Sequence, residues 1–229
     1  MKREVVRSGN FVPDAAEFIL QHARPALAER GQFRIALSGG NTPRPVYTAL
    51  AGMDLPWDRV FFTFGDERCV PPDDEQSNFR MARETLFTPA SVPEASIARM
   101  RGEIDPALAA QEYQDGLDLL AAQSGEMIFR HDLILLGMGD DGHTASLFPG
   151  TTALEEQSRK VVANFVPKFQ SWRITFTFPL ISQARHICFL VNANKNVSLL
   201  EKVLGGDLQF PAARVEAPNG GLTWFLGES

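Results

Sequence analysis

Only two cysteines occur in the 229 residues, Cys69 and Cys188, and they form no C-x-x-C pair. So small a number excludes a disulfide framework and a thiolate zinc site, and buried packing is the reading left for both thiols. Positive charge is also scarce: 22 Lys and Arg against 28 Asp and Glu leave a net charge of −6, with no broad footprint for nucleic acid or anionic lipid. An anionic small molecule would need a local cluster of cations. Long hydrophobic runs are missing. The opening MKREVVRSGNF lacks the apolar stretch of a signal peptide, and nothing later approaches the roughly 18 apolar residues of a membrane span. A cytoplasmic chain with no membrane or nucleic-acid partner is therefore expected. Repeats, low-complexity tracts and linkers are lacking as well, which predicts one domain over residues 1–229, as a monomer or small homo-oligomer.

What is present is ordinary globular chemistry, 44% hydrophobic and 22% charged. Apolar runs of strand length alternate with helical patterns. A helix is predicted over 13–30 and a buried strand over 33–37. Thr42 reads as an N-cap and Pro43 as the first residue of a helix running through 46–50. Residues 59–64 form a second buried strand, 65–76 an acidic, proline-rich loop, and 78–87 a helix capped by Ser77. A longer helix over 106–123 precedes a third buried strand over 131–136. Residues 173–178 alternate, 187–191 are continuously apolar, and 196–204 return to helix. Such alternation predicts an α/β fold with a doubly wound, largely parallel sheet flanked by helices, with room for a small subsidiary sheet.

Ligands of such sheets bind beyond the carboxyl ends of the strands, so the loops there carry the candidates. Ser38-Gly39-Gly40-Asn41-Thr42-Pro43 is either a plain glycine turn or a phosphate loop opening a helix. Gly65-Asp66-Glu67-Arg68 places three charges at a strand mouth, where a solvated run is the bland reading and a catalytic one the sharper. Gly137-Met138-Gly139-Asp140-Asp141-Gly142-His143 sets an imidazole two residues after a carboxylate, a pattern suited to moving a proton near neutral pH. His22, His131 and His186 have no such setting and read as structural.

The stretch 137–142 also fits G-x-G-x-x-G, but Pro149-Gly150 cuts short the helix a dinucleotide site needs. Residues 161–166 offer no carboxylate for a ribose, and Asp140 and Asp141 carry the wrong sign for a pyrophosphate. Metal hydrolysis by Asp140, Asp141 and His143 ranks third, since residues so close in sequence seldom all point inward.

Together, SGGNTP, GDERCVPPDDEQSNFRMARETLF, LILLGMGDDGHTASLFPG and RITFTFPLI, followed by Asn194-Lys195, resemble the 6-phosphogluconolactonases of the glucosamine-6-phosphate isomerase/6-phosphogluconolactonase family, in the same order and over most of the chain. The resemblance implies the fold shared with glucosamine-6-phosphate deaminases and ribose-5-phosphate isomerases, and hydrolysis of a phosphosugar lactone in the oxidative pentose phosphate pathway with no metal or organic cofactor. It makes His143 the base that activates water, with Asp141 and Asp66 lining the site and Arg68 near the lactone. Ser38, Gly39, Gly40, Thr42, Arg173 and Lys195 become the phosphate cradle. Phe169-Gln170-Ser171 departs from the prolines usual before the strand that carries Arg173. Deaminases of this fold continue the turn as D-G-H-I-A-F-N-E-P, with a proton-relay glutamate where this chain has Phe148. A sugar-phosphate-binding protein without catalysis is the other alternative on this fold.

Overall fold

Side chains of a strand alternate between its two faces, so a strand buried on both sides reads as an unbroken apolar run, as LILL does and as ICFLV does within HICFLVN. In the computed structural model, which describes residues 2–228, they are the strands β5 (Leu133–Leu136) and β8 (His186–Asn192) at the centre of a six-stranded sheet. The others are β1 (Lys2–Ser8), β2 (Phe33–Leu37), β3 (Val60–Phe64) and β9 (Gly221–Gly227), in the order β1-β9-β8-β5-β2-β3 with every pairing parallel. A second, antiparallel sheet is made of β4 (Asp66–Arg68), β7 (Ser171–Phe176) and β6 (Val161–Val166).

Alternation sorts the core into two layers. Leu133 and Leu135 face α1 (Phe11–Arg30), α2 (Pro43–Ala51) and α3 (Asn78–Ala82), in a cluster that includes Ile19, Tyr47 and Met81. Ile134 and Leu136 face the other way, toward α4 (Pro106–Gln123), α6 (Val197–Leu204) and the small sheet, and join Leu117, Val203 and Phe176. Phe189 and Trp224, cross-strand neighbours on β8 and β9, stack with ring centroids 3.9 Å apart. Each fully buried side chain of this size adds about 1.5–3 kcal/mol from burial alone. Both cysteine thiols are pushed upward by burial, Cys69 to about 11 and Cys188 further, as expected of packing residues. A short α5 (Phe178–Ile181) completes the helices, and no helix among the described residues is long and apolar enough to cross a membrane.

Local chemistry sets the helix starts. Asp105 accepts from the main-chain N–H groups of Ala107 and Leu108 at 3.0 Å ahead of Pro106 on α4, and Ser77 Oγ accepts from Arg80 N at 3.1 Å to cap α3. The predicted cap at Thr42 is corrected. Thr42 is itself in the helical region (φ −67°, ψ −46°) and its side chain makes no capping bond, because the chain is already turning at 41–42. Four strands and one helix differ further from the predictions. The loop expected over 65–76 begins with β4, while β1, β6 and β9 lie outside every predicted run. The helix expected over 78–87 widens after Ala82 into a π-helical turn, Arg83–Phe87.

Winding places the site. From β2 the chain crosses to β3 on one side, whereas β5, on the other side of β2, leads on to β8. The crevice beyond the carboxyl ends of β2 and β5 is thus the switch point of the sheet.

Candidate active site

A cleft of about 470 Å³ opens at that switch point, lined by the segments that follow β2, β3, β5 and β8. Ser38, Gly39, Gly40, Thr42, Asp66, Arg68, His143 and Lys195, drawn from four separate stretches of sequence, all contribute to its wall.

The loop after β2 is fixed from beneath. The buried Tyr47 hydroxyl of α2 accepts from Ser38 N at 3.0 Å and donates to Ser38 O at 2.9 Å. Ser38 Oγ, also buried, has no hydrogen-bond partner among the described residues. A side chain at position 39 could not be accommodated, because a Cβ there would fall 1.9 Å from the Asn78 amide. Asn78 Nδ2 in turn donates to Asp66 O at 2.9 Å and to Asp66 Oδ1 at 3.2 Å, tying the first loop to the second.

Strand alternation separates the three charges of Asp66-Glu67-Arg68. Asp66 and Arg68, two apart on β4, both line the cleft. Glu67 turns away, is 2% exposed, and accepts from the main-chain N–H groups of Asn78 and Phe79 at 2.7 and 2.8 Å and from Ser77 Oγ at 3.0 Å. Its carboxyl is raised by burial and partly lowered again by those bonds, so its work is to hold the start of α3. Asp66 Oδ2 accepts from Ser146 Oγ at 2.6 Å, joining the second loop to the third.

The third loop carries the proton chemistry. His143 Nδ1 lies 2.5 Å from Asp141 Oδ1, and Asp141 Oδ1 also accepts from His143 N at 3.2 Å. Partial burial raises the Asp141 carboxyl, but hydrogen bonds from His143 and Lys168 outweigh it and hold the group well below the usual carboxylate range. An ionised carboxylate only accepts, so Nδ1 carries the ring proton and Nε2 is left with the lone pair of a base. The imidazole lies over Gly139, where a Cβ would fall 2.0 Å from the ring, and stacks on Phe148 with centroids 3.9 Å apart.

Two arrangements differ from expectation. Arg173 is the cross-strand partner of Arg68, yet it opens on a neighbouring hollow beside Cys69, Gln76 and Trp172 and does not line the cleft. Burial, then the Arg68 charge, lowers its pKa, and its guanidinium lies 5.6 Å from the centre of the Phe169 ring. The expectation that Asp140, Asp141 and His143 do not converge is also corrected, since one ligating atom of each lies within 4.8 Å of the others. The Lys168 ammonium already bridges this pair of carboxylates, 2.6 Å from Asp140 Oδ1 and 2.9 Å from Asp141 Oδ2, so a divalent ion would have to displace it.

Sequence reasoning missed Lys168, which comes from a segment with no motif of its own, and gave no role to Ser146 within the quoted LILLGMGDDGHTASLFPG stretch; both brace the cleft. Asn78 was visible within the quoted S-N pair, without a role. Lys195, exposed at the cleft edge, has no ion-pair partner among the described residues.

A doubly wound sheet with a braced imidazole–carboxylate pair and free cations at its switch point is the frame of an α/β enzyme for a small anionic substrate. The family of glucosamine-6-phosphate isomerases/6-phosphogluconolactonase matches residues 7–224, and the chain belongs to it. Among curated relatives, the 6-phosphogluconolactonase of Synechocystis sp. is 43% identical over 207 residues, covering 89% of this chain and 85% of the relative. That of Thermotoga maritima is 31% identical over 223 residues, covering 95% and 94%. The crystal structure of the Thermotoga maritima 6-phosphogluconolactonase superposes with a TM-score of 0.87 at 29% identity, over 99% of this chain and 100% of that one. The Trypanosoma brucei 6-phosphogluconolactonase gives 0.84 at 27% identity, over 99% and 96%.

Proposed function

We propose that the chain, acting as a single α/β domain, hydrolyses 6-phospho-D-glucono-1,5-lactone to 6-phosphogluconate in the oxidative pentose phosphate pathway, with His143 as general base. The observation that carries this reading is His143, paired with Asp141, in the wall of a cleft that Lys195 and the Ser38–Thr42 loop also line. Nε2 of His143 takes a proton from water as the oxygen attacks the lactone carbonyl. Charge then develops on the carbonyl oxygen, where Arg68 is the cation at hand. Collapse breaks the bond to the ring oxygen, which takes up a proton and leaves as the hydroxyl of the open acid. General-base assistance of this kind contributes about 10²- to 10⁴-fold.

The phosphate is assigned to Ser38 Oγ, the main chain of Gly39 and Gly40, Thr42 and Lys195. Thr42, released from capping, has its hydroxyl available, and in the first turn of α2, where Pro43 and Pro45 have no N–H, Arg44 supplies the main-chain donor. Arg173, the cross-strand partner of Arg68 and outside the cleft wall, is not given a direct contact with this anion. Phe148 argues against amino-sugar deamination, because a phenyl ring cannot relay a proton. Purified protein, with spontaneous lactone opening subtracted, should hydrolyse the lactone and release no ammonia from glucosamine 6-phosphate. Binding without turnover would make it a sugar-phosphate-binding protein instead.

A further inference from the structure

At the opposite edge of the sheet from the cleft, where β2, β5 and β8 begin, lies a polar hollow of about 340 Å³. Arg30, Arg34, Arg130 and Arg185 surround it, against the carboxylates of Asp132 and Glu126. Both acids are already engaged. Asp132, 5% exposed, accepts from Arg34 N at 2.8 Å and Arg30 Nε at 3.1 Å, and Glu126 accepts from Arg34 Nη1 at 2.7 Å. Arg30 also reaches outward to Glu29, which completes its pairing.

Arg130 has no carboxylate partner, and Arg185 only shares Asp132 with Arg30. Arg130 donates through Nε and Nη2 to the main-chain carbonyls of Gln183 and Asn219, both at 2.9 Å, which fix the guanidinium without cancelling its charge. Arg185 Nε lies 3.2 Å from Asp132 Oδ1, yet that buried N–H makes no hydrogen bond, and its two terminal nitrogens have no partner among the described residues. Burial, then the Arg185 charge, lowers the pKa of Arg130, so the two guanidiniums act on each other. Folding gains little from gathering surplus cations at one edge of a chain with a net charge of −6.

We propose that this hollow is a second anion site, in which Arg130 and Arg185 hold the phosphate of a small phosphomonoester. The two terminal nitrogens of Arg185 and the remaining one of Arg130, Nη1, belong to side chains lining one hollow, and a tetrahedral anion with three free oxygens offers them more acceptors than a single carboxylate, which one fork satisfies. The volume sits at the lower end of the roughly 300–1,000 Å³ of small-molecule sites and exceeds what bare phosphate fills, leaving space for the ester beside Gln32 and Ser124.

The two sites lie at opposite strand ends, so residue-resolved amide NMR separates them. Titration of the labelled full chain with glycerol 3-phosphate, and separately with inorganic phosphate, at constant ionic strength should give saturable shifts at Gln32, Arg34, Asp132 and Arg185, distinct from any at Ser38–Asn41, with the ester the tighter ligand. Arg185→Met should weaken the far-edge response by about tenfold or more, as expected for loss of a charge-assisted pair. Gln32→Glu keeps the acceptor used by Arg34 Nε, so the fold is preserved, but it adds a negative charge to the hollow and should weaken binding similarly. Shifts confined to the cleft, tighter binding of bare phosphate than of the ester, or a far-edge response unchanged in Gln32→Glu would each overturn the proposal.

Discussion

The Phe148 ring lies within 24° of parallel to the His143 imidazole, with centroids 3.9 Å apart, and is itself held edge-on by Phe169 at 5.7 Å. One face of the imidazole is thereby fixed by packing, while Asp141 fixes its edge. Phe148→Leu keeps the apolar contact and loses the flat surface, so His143 can rock about its bond to Asp141. The expected outcome is a fall in kcat of roughly tenfold to a hundredfold, the scale on which small misplacements act, with KM little changed. Steady-state kinetics checks it. Unchanged kcat would show that Asp141 alone orients the ring.

Lys168 should set the pH at which Asp141 protonates. Asp141 is held low partly by the Lys168 ammonium, so its orienting charge is present above the ordinary carboxylate range and is lost only as pH falls well below it. Lys168→Met removes one of the bonds that lower it, and the pH at which Asp141 protonates must rise. The Asp141 carboxyl, followed by its side-chain carbon shift in NMR, is expected to protonate at higher pH in the variant than in the parent chain. An unchanged Asp141 titration would show that Lys168 does not hold that carboxyl low.

The site's parts were unequally legible in the sequence. β2, β3, β5 and β8 were readable because a strand buried on both faces has to be continuously apolar, and the loops that end them therefore had known positions. β1 was not, since the edge strand KREVVRS exposes half its residues and carries charge, and β9 was hidden by glycines at each end of GLTWFLG. β4 has three charged or polar residues and exists only because β7 pairs with it. The same pairing sets Arg173 opposite Arg68 and beside a neighbouring hollow: its strand was visible, but that register was not. Lys168 reaches Asp141 across 27 residues, a tertiary relation that no local pattern encodes.

Lys195 should discriminate between substrates by their phosphate. Its ammonium lines the cleft without an internal ion-pair partner, so Lys195→Ala removes a charge that the fold does not use. Phosphorylated lactone is expected to lose about tenfold or more in kcat/KM, the cost of one charge-assisted contact, while unphosphorylated gluconolactone is little changed. Comparing the two substrates on one variant provides the check. Equal losses would place Lys195 in the chemistry.

His131 should make stability fall in mild acid. The imidazole is 1% exposed, its Nε2 lies 2.9 Å from Thr63 Oγ1, and its buried Nδ1 has no partner. Burial first, and the Arg34 charge second, pull its pKa from 6.5 to about 3, so it is neutral when folded. Below about 6.5 the unfolded chain binds the proton and the folded one does not. This contribution is therefore complete above pH 6.5 and is lost as pH falls toward 3, at no more than about 1.4 kcal/mol per pH unit. His131→Gln retains a donor for Thr63, and its urea midpoint should vary less between pH 7 and pH 5 than that of the parent chain.

The most direct test of the account is lactone hydrolysis by His143→Asn, followed after subtraction of spontaneous opening, alongside calorimetric binding of 6-phosphogluconate. Asparagine keeps a group at the Asp141 contact but has no basic nitrogen to take a proton from water. The account predicts that kcat falls by about 10²- to 10⁴-fold while product affinity changes little. Hydrolysis near the parent rate, with binding intact, would contradict it.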